Sequence, residues 1–159
     1  MITLVTKDES ALRIDERGRW HHRGEPVSNP KIARFFHHAI RKDETGQYYL
    51  YNDHDGHQEH VYFEIDDTVY FVLDLEIQTD PLVIVAHLNT DDFIDLDCRT
   101  LQQDERGMVY AWVKDSDRAR LSDRALHQLA QYVLEDEHGF YLPCKEQRVY
   151  IGRIHTTMR

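Results

Sequence analysis

One tetrapeptide occurs twice in this chain, and the residues around the two copies align. Asp15-Glu16-Arg17-Gly18 and Asp104-Glu105-Arg106-Gly107 are identical, and each runs into a strand-forming stretch, Arg19-Trp20 and Met108-Val109. Repetition on this scale marks a supersecondary unit used more than once. Downstream of each copy lies an amphipathic helical pattern. Ile32, Phe35, Phe36, Ala39 and Ile40 share one helix face, behind Asn29 as N-cap and Pro30 as the first helical residue. Leu126, Leu129, Ala130, Val133 and Leu134 repeat that spacing behind Ser122 or Asp123. With Val27-Ser28-Asn29 set over Leu121-Ser122-Asp123, all five apolar positions coincide. An acidic turn with a glycine and then a tyrosine follows both helices, Gly46-Gln47-Tyr48 and Gly139-Phe140-Tyr141. The next strands open Val61-Tyr62-Phe63 and Val149-Tyr150-Ile151.

Most of the remaining chain alternates as strands do. Val69, Phe71, Leu73, Leu75 and Ile77 alternate with polar residues, Thr79-Asp80-Pro81 interrupts, and Leu82, Ile84, Ala86 and Leu88 alternate again. Residues 69–88 therefore read as a hairpin with one buried face. Further strands are expected near 12–14, 20–22, 47–51, 60–65, 108–114, 140–142 and 148–154. The fold expected from these signals is α+β: two similar tandem units, 1–80 and 81–159, each with one helix (30–41 and 122–134) packed on a small antiparallel sheet.

Charge limits the partners. There are 29 Asp and Glu against 19 Lys and Arg, a net −10 with no long basic run. Such a field repels nucleic-acid backbones and anionic membrane surfaces. No apolar run approaches membrane-spanning length, and Ile2–Val5 is too short for a secretory apolar segment. Cys98 and Cys144 form no C-x-x-C pattern and read as free thiols. Together these features point to a cytoplasmic protein.

From Gly18-Arg19-Trp20 through Gly24-Glu25-Pro26-Val27, the sequence resembles a bacterial family, domain of unknown function 1285. Phe35 or Phe36, Asp43-Glu44-Thr45-Gly46-Gln47-Tyr48, Glu59, Asp66-Asp67 and Leu88-Asn89 continue the likeness, which covers about residues 12–95 well. The chain departs from it at Asn52-Asp53, at His60 and at Thr68-Val69. The resemblance implies two small tandem α+β units and a ligand-sensing or signalling role.

Two sets of residues qualify as a site. Glu59, Asp67 and Asn89 fall at polar positions shared with the resembling family and at entries and exits of the expected hairpins. Two carboxylates and an amide there suit a cationic or hydroxyl-rich small molecule. His54, His57 and His60 stand three apart among Asp53, Asp55 and Glu59, a spacing that could ligate a metal and activate water. The same segment, Asn52-Asp53-His54-Asp55-Gly56, is also good turn chemistry. Ser28, Ser116 and Ser122 occupy turn or cap positions. No G-x-S-x-G elbow, P-loop, dinucleotide-binding glycine motif or H-E-x-x-H is present. The reading is a small-molecule-binding or regulatory module without catalysis or cofactor, with a metal-assisted hydrolase built on the three histidines as its alternative.

Overall fold

The computed structural model of the chain describes residues 1–114 and 117–154, so Ser116 lies outside the described residues. The chain divides into two units, Met1–Val69 and Tyr70–Arg159.

The first unit begins with β1 (Ile2–Val5) and a single turn of helix, α1 (Lys7–Ser10), closed by a capping box between Thr6 and Glu9. Then come β2 (Leu12–Ile14), β3 (Trp20–His22), β4 (Glu25–Pro26) and α2 (Pro30–Ala39). The unit ends with β5 (Ile40–Lys42), β6 (Tyr48–His54), β7 (His57–Tyr62) and β8 (Glu64–Ile65). Its strands make two sheets, β4-β3-β2-β8 and β1-β7-β6-β5, in which the β2–β8 and β1–β7 pairs are parallel. Asn29 caps α2 through a 2.9 Å bond from Lys31 N–H to its side-chain oxygen. The core between α2 and the strands is aromatic. Trp20 lies edge-on to Phe36 at 5.3 Å and to Phe63 at 4.9 Å, and its indole N–H donates to His37 Nδ1 at 3.2 Å.

The second unit opens with β9 (Tyr70–Gln78), β10 (Val83–Leu88) and β11 (Phe93–Asp95), then a 3₁₀ turn at Cys98–Thr100. It continues with β12 (Gln102–Gln103), β13 (Val109–Val113), β14 (Asp117–Leu121) and α3 (Asp123–Ala130). Finally come β15 (Leu134–Asp136), β16 (Gly139–Cys144), β17 (Gln147–Tyr150) and β18 (Gly152–Arg153). A seven-stranded mixed sheet runs β11-β10-β9-β14-β13-β12-β18, and β15-β16-β17 form a small antiparallel one. The β9–β10 hairpin lies where the alternation puts it. Tyr70, Phe71 and Val72 are nonetheless buried on both faces. Here β9 is an interior strand, paired with β14 as well as β10.

The α+β expectation, one helix on one small antiparallel sheet in each unit, is overturned. The chain is mostly β, with four sheets and three short helices among the described residues. Both helices expected from the sequence stop early. α2 ends at Ala39, and α3 ends at Ala130 instead of near 134. The apolar period continues past each stop, but Ile40 and Leu134 already belong to strands. An i, i+3, i+4 pattern cannot separate a helix from a helix that turns directly into a half-buried strand.

What does recur is strand order. β4-β3-β2-β8 and β14-β13-β12-β18 have the same connectivity, including a parallel last pair, and β7-β6-β5 corresponds to β17-β16-β15. The N-caps settle the helix register. Asn29 and Ser122 are the two caps, so Phe36 corresponds to Leu129 and His37 to Ala130, one position away from the alignment of apolar residues.

Trp20 is 2% exposed and sits at the centre of its aromatic cluster. Trp20→Ala is expected to destabilise the protein by about 3–5 kcal/mol, as large-to-small changes in packed cores do. Urea denaturation followed by far-UV circular dichroism measures the loss; a cost under about 1 kcal/mol would mean the cluster does not hold the unit together.

Candidate functional site

α3 is fastened on one side and open on the other. Ser122 caps it, its hydroxyl oxygen accepting from Ala125 N–H at 3.1 Å while its O–H donates to Leu73 O at 3.1 Å. Gln128 accepts from Leu75 N–H at 2.8 Å and donates to Asp74 at 2.7 Å, and Arg124 pairs with Asp74 at 3.1 Å. Ala125 and Leu129 are consequently buried. Leu126, Leu129 and Ala130 face a cavity of about 250 Å³ that opens to solvent past Leu134 and Phe140, which are 48% and 44% exposed. Val109 lines it from β13, Leu134 from β15 and Phe140 from β16, while Val133 and Ile151 line it from the residues just before β15 and between β17 and β18. Gln103 and Glu135 are its polar members. The walls are apolar and carried mostly on regular elements, which holds their geometry better than loops would.

A larger cleft of about 600 Å³ lies between the β9–β10 and β16–β17 turns, lined in part by Asp80, Tyr132, Lys145 and Glu146. Hairpin tips form most of its lining, so its shape follows the least constrained parts of the unit.

The residues singled out from the sequence do not make the cavity. Glu59 lies on β7, where Asn52 Nδ2 donates to its carboxylate at 3.4 Å. Asp67 is half-buried in the segment after β8, next to Asp66, which pairs with Arg13. Asn89 is 5% exposed and binds backbone. Its side-chain oxygen accepts from Phe71 N–H, and its own N–H donates to Phe71 O, both at 2.9 Å. Glu59 and Asp67 belong to the first unit and Asn89 to the second.

His54 and His57 pair across the β6–β7 hairpin, and His57 Nε2 meets Thr3 Oγ1 at 2.9 Å. His60, three residues further along β7, points to the opposite face and stacks on Tyr49 at 4.1 Å. The three rings therefore do not converge. Among the described residues no group of three His, Cys, Asp or Glu side chains is placed to hold a metal. Burial first, and then a hydrogen bond with Cys144, push the Cys98 thiol up to about 12, so it is a poor nucleophile.

Two carboxylates are held as anions in matching places. The Thr45 hydroxyl, then Gln47 N–H and the Tyr62 hydroxyl, hold Asp43 down at about 2 against some desolvation. The Tyr150 hydroxyl, then His138 N–H and Arg148, do the same for Asp136. Tyr62 O–H donates to Asp43 at 2.9 Å and Tyr150 O–H to Asp136 at 2.6 Å. Each pair ties a hairpin to the strand beside it.

Residues 6–156 match the family described as "Protein of unknown function (DUF2946)". The chain belongs to this family. No curated protein matches the DUF2946 chain. Its fold is similar to that of a DUF1285 family protein from Silicibacter pomeroyi DSS-3, with a TM-score of 0.68 at 18% identity, over 96% of this chain and 82% of that one. A second DUF1285 family protein, from Shewanella baltica OS155, gives 0.55 at 14% identity, over 77% of this chain and 91% of that one. The likeness to DUF1285 proteins drawn from the sequence thus holds in the fold. No helix among the described residues of this DUF2946 protein is long and apolar enough to cross a membrane.

Five of the cavity residues, Leu126, Leu129, Ala130, Val133 and Leu134, are those read from the sequence as the apolar face of the second helix, although Val133 and Leu134 lie beyond its end. The signal that the face is incompletely filled was present too: smaller residues stand in the second segment where Trp20 and Phe63 stand in the first.

The low values of Asp43 and Asp136 set a pH dependence. A carboxylate whose folded value lies below its unfolded one, about 3.9, stabilises the fold above that value and ceases to as pH falls through about 2. The Asp43→Asn, Asp136→Asn double variant should therefore melt below wild type at pH 7, and the gap should shrink between pH 4 and pH 2. Melting curves across that range check this; a gap constant with pH would mean that the two anions do not contribute through their charge.

Proposed function

We propose that this DUF2946 protein is a small-molecule-binding module of a regulatory kind that performs no chemistry of its own. The supporting observation is the apolar cavity beneath α3, whose lining pairs eight apolar side chains with one amide and one carboxylate. Pockets of that make-up orient a ligand with few polar contacts and bury the rest of it. The lining contains no Ser, Cys, His or Lys. Glu135 is its one titratable group, with no second titratable or nucleophilic side chain in the lining to form a nucleophile–base pair. Hydrolysis on His54, His57 and His60 finds no support in rings that face opposite ways across β7.

A thermal-shift screen of small apolar and amphipathic metabolites tests the reading. At 100 times its Kd a ligand stabilises by about 2.7 kcal/mol, enough to raise the melting temperature by several degrees. At least one compound should do this for wild type and for Glu59→Gln, and should fail with Leu126→Glu, which places a carboxylate at the cavity. The reading is wrong if no compound stabilises the protein, or if responders are indifferent to Leu126→Glu.

A further inference from the structure

We infer that the cavity beneath α3 receives a compact planar aromatic ring of about indole size, in the place that the first unit fills with its own Trp20. This rests on the binding reading above and adds the ligand's chemical class.

The correspondence comes from backbone pairing. Trp20 is opposite Ile14 in β2–β3, and Val109 is opposite Gln103 in β12–β13, each five residues beyond the aspartate of the repeated tetrapeptide. The caps Asn29 and Ser122 place Phe36 with Leu129 and His37 with Ala130. The Asp43–Tyr62 and Asp136–Tyr150 bonds place Tyr62 with Tyr150, and hence Phe63 with Ile151.

In the first unit the Trp20 ring lies among Phe36, His37 and Phe63, at centroid distances of 5.3, 5.8 and 4.9 Å. Each of those four residues has a smaller counterpart in the second unit: Val109, Leu129, Ala130 and Ile151. All four counterparts line the cavity. The space is therefore where a tryptophan ring and parts of its neighbours are missing, walled by the same elements in the same order. Its volume, about 250 Å³, exceeds the roughly 150 Å³ of an apolar cavity that takes benzene. It falls below the roughly 300 Å³ at which pockets for larger ligands begin.

Polarity refines the class. In the first unit the indole N–H has an acceptor in His37, at 3.2 Å. Ala130 offers none, but Gln103 and Glu135 bring acceptor oxygens to the lining. A ring carrying an N–H or O–H donor suits that arrangement better than a bare hydrocarbon or an anion.

The test uses the full chain with two probes, indole and n-octanoate, at equal concentrations, followed by thermal shift and isothermal titration. Indole should raise the melting temperature by several degrees and bind at least tenfold more tightly than octanoate. Val109→Trp, which restores the first unit's side chain, should weaken indole binding at least tenfold while melting no lower than wild type. Should Val109→Trp fail to fold, Ala130→Leu, at an exposed position of α3, narrows the same space and should weaken indole likewise. Octanoate binding as tightly as indole, with both weakened by these variants, would overturn the ring and leave the binding reading standing. The ring is overturned in the same way if neither probe binds but a metabolite from the wider screen does and loses its effect in Leu126→Glu. Indole binding unaffected by either variant would overturn the location. No response to any compound overturns both.

Discussion

Aspartate side chains that accept backbone N–H groups organise the hairpins on which everything else is mounted. Asp15 Oδ1 accepts from Arg17 and Arg19, Asp43 Oδ1 from Thr45 and Gln47, and Asp104 Oδ1 from Arg106 and Met108, at 2.9–3.0 Å in each case. Asp136 holds His138 N–H in the same way at 2.8 Å. A carboxylate that takes two turn donors replaces the water those groups would otherwise need and fixes the strand register on both sides. The acidity of the chain is thus partly architectural. A share of its excess of Asp and Glu over Lys and Arg neutralises peptide dipoles at turns, which is a different task from repelling or attracting a partner.

This device explains what could be read from the sequence. The repeated Asp-Glu-Arg-Gly is a complete turn: the aspartate accepts, and the glycine, with φ of +82° and +87°, takes a left-handed backbone that costs other residues energy. Everything in it is local, so four consecutive letters betray it. The β9–β10 hairpin was legible for the same reason. The pairing of β2 with β8, or of β14 with β9, joins residues about 50 apart through backbone groups that every residue carries, so no side-chain pattern announces it. These parallel pairs join strands distant in the chain into common sheets. The helix register failed more narrowly. Apolar spacing in α2 and α3 fits two alignments one residue apart, and the bonds at Asn29 and Ser122 choose between them. The expected site residues were equally ambiguous: Asn89 has the polarity of a ligand contact and the bonding of a turn lock.

Two ways of holding a short helix account for the difference between the units. α2 is 10 residues and α3 is 8, too short to persist without tertiary support. α2 obtains that support from within, where Trp20 fills the space against Phe36 and Phe63; on its outer side Ile32 and Phe35 stay 45% and 54% exposed. At the corresponding positions of α3, Ala125 is fully buried and Gln128 is bonded to β9. The outer side of α3 is thus secured by Ser122, Arg124 and Gln128 on the strand β9, which has no counterpart in the strand order of the first unit. Once a helix is clamped from outside, an inner plug is no longer required to keep it in place. Val109 and Ala130 can then stand where a ring and its hydrogen-bond acceptor would otherwise be needed. The same strand that completes the seven-stranded sheet therefore makes an unfilled apolar cavity tolerable.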